Sequence, residues 1–180
     1  MKHNMNTTKK LMTLLLAMLA LATSAQDGND YLQRGVRCIA DVNAHIGFDD
    51  AKDIYLFGAS ITPGYQLNRF LFVGGGIAPT LVYYTHKKED IYSKEERTTE
   101  LASPFYGAIR YDLTNAKVSP FVEGRAGISL ISDVGGGYFY AGAGCHIKRV
   151  NLSAGYTCVG SVKSHTDTFQ FVGLRMGYEF

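Results

Sequence analysis

Phe169-Gln170-Phe171-Val172-Gly173-Leu174-Arg175-Met176-Gly177-Tyr178-Glu179-Phe180 decides the fold. Its even positions from Val172 onward are Val172, Leu174, Met176, Tyr178 and Phe180. Its odd positions are Phe171, Gly173, Arg175, Gly177 and Glu179. One face is apolar throughout, and the other mixes small residues with an Arg and a Glu. Strict alternation over this length predicts a β-strand whose two faces meet different surroundings.

The same period recurs upstream. Val36, Cys38, Ala40, Val42, Ala44, Ile46 and Phe48 share a face opposite Arg37, Asp41, Asn43 and His45. Tyr55 to Tyr65 alternates against Gly58, Ser60, Thr62, Gly64 and Gln66. Further segments begin at Leu71, Leu101, Pro120, Phe139 and Val150. With the closing strand this predicts eight strands joined by hairpins with no crossover helix, an all-β, antiparallel up-and-down barrel. Compact turns follow strands two, four and six. The longest loop is expected at residues 85–100, where charge of both signs gathers. Pro63, Pro79 and Pro104 fall inside strands, where each removes a ladder donor, so bulges or strand ends are expected there.

Residues 1–25 stand apart. Lys2, Lys9 and Lys10 precede an apolar run, Leu11 to Ala22, and Thr23-Ser24-Ala25 supplies small residues for cleavage before Gln26. This is the three-part pattern of a secretory signal peptide. The run of about a dozen apolar residues is short of the ~20 that a spanning helix needs. Residues 26–180 then form a single domain. The whole chain has 18 basic and 16 acidic residues. Without the three lysines of the signal, 15 basic residues stand against 16 acidic ones, and nucleic-acid binding loses its compositional support.

Alternation alone does not tell a soluble barrel, apolar inside, from a membrane barrel, apolar outside. Two features favour the membrane. The less apolar face carries Phe72, Phe121, Tyr138, Tyr140, Phe169 and Phe171 and few charges, too little polarity for a water-facing surface. Its charges also balance: Arg37, Arg110, Arg125 and Arg175 against Asp41, Asp112, Glu123 and Glu179. A buried charge needs a partner, so these eight are expected to form an interior network. No charge falls on the apolar face of any strand, as lipid requires. Arg110 is expected beside Glu123 across a hairpin. At the seam between the first and last strands, Arg37 opposite Glu179 would set Asp41 opposite Arg175.

Tyr65, Tyr111, Tyr178 and Phe180 come at the same ends of their strands and are candidates for an aromatic girdle. Gly64-Tyr65-Gln66-Leu67, Arg110-Tyr111-Asp112-Leu113, Gly144-Cys145-His146-Ile147 and Gly177-Tyr178-Glu179-Phe180 repeat one scheme of outward apolar and inward polar positions at that rim.

Catalytic, metal and cofactor sites find little support. His45 and His146 point inward at opposite ends, so no metal-ligand set converges. Ser164-His165-Asp167 has hydrolase residue types, but on one polar loop. Gly74-Gly75-Gly76 and Gly142-Ala143-Gly144 open no helix, so they are not phosphate loops; they leave room inside the barrel beside tyrosines. Cys38, Cys145 and Cys158 lie on the apolar parity and read as small hydrophobes.

Gly64-Tyr65-Gln66-Leu67-Asn68-Arg69-Phe70-Leu71-Phe72-Val73-Gly74-Gly75-Gly76, Lys117-Val118-Ser119-Pro120-Phe121-Val122 and the terminal Gly177-Tyr178-Glu179-Phe180 resemble the small outer-membrane barrels of the OmpA/OmpX type. The resemblance spans residues 26–180. It implies a monomeric, non-enzymatic, porin-like protein of the Gram-negative cell envelope with both termini periplasmic. It implies periplasmic chaperones in transit and a terminal aromatic strand read by the barrel assembly machinery. Outer-membrane lipid and lipopolysaccharide are the surroundings expected, with residues 85–100 as the contact for lipopolysaccharide or a partner protein. The alternatives are a soluble periplasmic lipocalin-like ligand-binding barrel and a lipid A-modifying barrel enzyme.

Overall fold

The computed structural model describes residues 34–48, 51, 53–86, 96–114, 118–131, 134–160 and 168–180. The signal segment 1–25 and Ser164-His165-Asp167 lie outside them. Nine strands account for nearly all described residues. They are β1 (Gly35–Phe48), β2 (Ile54–Gln66), β3 (Leu71–Ile77), β4 (Thr80–His86), β5 (Glu96–Asp112), β6 (Val118–Ile131), β7 (Val134–Ile147), β8 (Val150–Gly160) and β9 (Thr168–Glu179). Every pairing is antiparallel, and β1 pairs with both β2 and β9, so the sheet closes on itself.

β3 and β4 are one stave of the barrel. Both lie between β2 and β5, and the pairing register is the same on either side of Ala78-Pro79. The barrel therefore has eight staves, as expected. The proline expectation holds only at Pro79, where the strand is interrupted. Pro63 and Pro104 stand inside continuous strands, and no bulge shifts the register beside them. Pro104 contributes its carbonyl, which accepts a bond from Ala78 N at 2.9 Å, and the Pro79 carbonyl accepts from Ala59 N at 3.1 Å. Pro79 and Pro104 keep their acceptors in the ladder, and their missing donors fall around one break.

Closure fixes a stagger. A path begun at Val36 crosses to Tyr65, Val73 and Ile109, continues through Gly124, Ala141, Tyr156 and Val172, and returns to β1 at Ile46, ten residues further on. With strand spacings near 4.8 Å and a rise near 3.3 Å, that stagger tilts the strands by about 40°.

The alternation predicted for β9 is present. Val172, Leu174 and Met176 are 51, 62 and 60 % exposed, whereas Phe171 and Arg175 are 3 and 4 % exposed. The same division runs round the barrel, with Val42, Phe57, Ile109, Val122 and Leu152 exposed and Asp41, Arg110, Glu123, Arg125 and Asn151 buried. The long loop is shorter than expected. Thr85 and His86 pair with Arg97 and Glu96, so β4 and β5 extend into residues 85–100. Ladder bonds need no apolar period, which is why a charged segment can continue a strand.

Candidate functional site

Inside the barrel the residues nearest the turns form a charged cluster centred on Glu123 of β6. Arg110 of β5 stands directly opposite and donates Nε and Nη2 to Glu123 Oε2 at 2.9 and 2.6 Å. Its Nη1 donates across the lumen to Glu179 Oε1 of β9. Arg125, two residues beyond Glu123 on the same face, donates Nε to Glu123 Oε1 at 2.6 Å and Nη2 to Asp41 Oδ2 of β1 at 2.8 Å. Its Nη1 lies 2.9 Å from Ser60 Oγ and 2.8 Å from Tyr106 Oη, and Tyr106 Oη is 2.8 Å from Thr62 Oγ1. Arg175 reaches Glu123 Oε1 at 3.4 Å and Tyr138 Oη at 3.2 Å. Arg37 lies 3.5 Å from Glu179 Oε2.

Aromatic faces cover what the carboxylates do not. The Arg110 guanidinium is 4.2 Å from the Phe121 ring centre, and that of Arg175 is 4.0 Å from the Tyr140 centre. Cation–π contacts of this kind gain strength where water is excluded. The network joins opposite walls, β1 to β6 and β5 to β9. It fills the space that eight strands leave for side chains.

All eight predicted interior charges face the lumen. Arg110 meets Glu123 across the hairpin as expected, and Arg37 reaches Glu179 although the two are not opposite in register. Asp112 joins the rim instead, with Oδ1 3.2 Å from His146 Nδ1. The expected opposition of Asp41 and Arg175 is corrected: Asp41 pairs in register with Gly177, and Arg175 with Asn43. Likewise Glu179 stands opposite Ile39, not Arg37. The seam is offset by two residues, and an even offset keeps every side chain on its face. Alternation is therefore blind to it.

Space is matched to the large rings. A Cβ on Gly142 would overlap Tyr140 Oη, and one on Gly155 would lie 2.5 Å from Tyr140 Cε2. These inward glycines are the room that Tyr140 occupies.

Tyr65 and Tyr111 face outward, Phe70 stacks on Tyr111 with centres 6.1 Å apart, and Tyr178 meets Phe180 edge to face at 5.2 Å. A second outward aromatic set, not read from the sequence, stands toward the other end: Phe57 against Tyr83 at 5.8 Å and Phe48 against Tyr156 at 6.1 Å. Its signal was available, because all four occupy the apolar parity. Tyr55 and Tyr65 are ten residues apart on β2. That is about 33 Å of strand and, at the ~40° tilt, about 25 Å along the axis, the height of a bilayer-facing apolar band.

Neither a family model nor a curated protein sequence matches this chain. Among solved structures, the outer membrane enzyme PagL is similar at a TM-score of 0.53 and 13 % identity, over 77 % of this chain and 98 % of that one. The fold is that of a small outer-membrane β-barrel. The N-terminal β-barrel domain of Pseudomonas aeruginosa OprF is also similar, at 18 % identity over 82 % of this chain and 100 % of that one, with a TM-score of 0.35. Small barrels of this kind cross a bilayer with strands of about 9–11 residues, a length that β1, β2 and β5 to β9 all reach.

Proposed function

We propose that the protein is an integral, monomeric and non-enzymatic barrel of the outer membrane, exported by residues 1–25 and closed to ions by its charged core. The observation that supports this most is the inversion of its faces. Leu174 and Met176 lie outside, and Arg175 between them lies inside, against Glu123. A soluble lipocalin-like barrel would need the reverse, because exposed apolar patches of this extent are sites of association in water. The height of about 25 Å between Tyr55 and Tyr65 suits a bilayer, and in this reading both termini are periplasmic. In this reading the hairpin of β4 and β5, with residues 85–100, stands outside the cell. Its mixed charge suits lipopolysaccharide phosphates or a partner protein.

Fractionation of the expressing cells, followed by a heat-modifiability gel, tests the reading. The expected result is recovery in the outer-membrane fraction and a mobility change on boiling; recovery in the soluble fraction would end it. Replacing residues 87–95 with a short Gly/Ser turn should leave assembly intact and weaken surface contacts. An altered lipid A profile on deletion of the gene would support the enzymatic alternative instead.

A further inference from the structure

Beyond the charged core, toward the long loops, the lumen opens into a pocket of about 70 Å³. That is several times the ~10–15 Å³ that a single water requires. Its chemistry changes with depth. On β2 the pocket residues are Ile54 and Leu56; on β4, Val82 and Tyr84 stand beyond Thr80. On β8, Val159 stands beyond Thr157, and on β9, Phe169 and Phe171 stand beyond Arg175. In each case the apolar member is nearer the loops. Toward the mouth the lining is mainly apolar, and toward the floor Asn43, His45, Thr157 and Arg175 add polar groups beside Ala78 and Pro104.

The floor holds polar atoms that the protein leaves unmatched. Asn43 Nδ2, both ring nitrogens of His45, Thr157 Oγ1 and Arg175 Nε have no hydrogen-bond partner among the described residues. The four residues are 7, 3, 2 and 4 % exposed. Buried donors and acceptors are rarely left so, and a group of them around one cavity marks a place where a polar group belongs.

The charge there is also uneven. Glu123 Oε1 accepts from Arg125 at 2.6 Å before Arg175 reaches it at 3.4 Å. Arg110 and Arg125 each have two carboxylate partners, whereas among the described residues Arg175 has only this long share of one. The guanidinium next to the pocket is the least neutralised of the three.

We propose that the pocket binds a small monocarboxylate with an apolar body. The carboxylate goes down, toward Arg175 with Asn43, His45 and Thr157, and the body lies against Leu56, Val82 and Phe171. Arginine suits a carboxylate because its fork of N–H donors matches the two oxygens. The apolar collar admits an aliphatic or aryl group and disfavours a second charge.

The test uses 4-fluorophenylacetate and its uncharged counterpart 4-fluorophenylacetamide, followed by ¹⁹F NMR against the full chain in lipid nanodiscs, with empty nanodiscs as the blank. The acid should bind at least tenfold more tightly than the amide. Arg175→Gln should remove that preference. Leu56→Trp, which fills the apolar wall and leaves the charged core alone, should abolish binding of both. Heat-modifiability checks that each variant folds. If Arg175→Gln does not fold, the acid-to-amide ratio and Leu56→Trp decide. Acid signals equal to the empty-nanodisc blank, or equal binding of acid and amide, would overturn the proposal. So would undiminished binding by folded Leu56→Trp. Such a failure would leave membrane assembly, read by the gel, untouched.

Discussion

Arg110 and Glu123 face each other across the β5–β6 hairpin, and two guanidinium nitrogens converge on one carboxylate oxygen, Glu123 Oε2. The other oxygen of Glu123 serves Arg125 and Arg175. One carboxylate thus stabilises three buried cations. Glu123→Gln should therefore be the most damaging single change in the lumen. Removing one member of a buried pair costs about 3–5 kcal/mol, because the partners stay charged and dry. Urea unfolding of protein folded into vesicles checks this, with Glu179→Gln expected to cost less because Glu179 is more exposed. Equal costs would show that the core does not depend on Glu123 as its centre.

Tyr140 and Gly142 occupy one space. Gly142→Leu should lower the folded yield sharply, since the new side chain would overlap the Tyr140 hydroxyl. Adding Tyr140→Ala should restore part of that yield. Band intensities on a heat-modifiability gel read both variants, and no recovery in the double variant would mean that the backbone contact to Ala154 dominates.

The outer face sets a depth-dependent penalty. Leu174 pairs with Ala44 and Ala154 in mid-barrel, while Val36 stands at the rim opposite Tyr65. Leu174→Arg should cost about 2–4 kcal/mol and Val36→Arg about 0–1 kcal/mol in a bilayer. The difference in unfolding free energy between the two variants in lipid is the measurement. Equal values would argue against a bilayer band at the height of Leu174.

Phe180 does more than face the girdle. Its N–H donates to the Cys38 carbonyl at 2.9 Å, and its carbonyl accepts from Cys38 N at 3.4 Å, so it extends the closing seam beyond β9. Deleting Phe180 should reduce the amount of folded barrel in the outer membrane severalfold, and Tyr65→Ala only slightly. Quantitative immunoblots of membrane fractions compare them. Similar losses would make Phe180 one rim aromatic among several.

The sequence by itself determined which residue faces which way. A strand has a period of two, so Leu174 and Met176 are bound to one face and Arg175 to the other wherever the strand lies. Charge confined to one parity then identified the apolar face as the outer one, and the Arg110–Glu123 pair followed because a short turn fixes a hairpin's register. Tertiary structure decided the rest. The seam joins β1 to β9 through no turn, so its register depends on the stagger of the whole barrel, and Asp41 came to meet Arg125 instead of Arg175. Residues 85, 86 and 96–100 likewise read as loop because the charge of their segment hides a ladder held by backbone bonds. The pocket was hidden for the same reason as the seam. Asn43 and His45 come from β1, and Thr157 and Arg175 from β8 and β9 at the other end of the sequence. Alternation places each of them inside, but only closure at one particular stagger sets β1 beside β9 so that all four line one pocket.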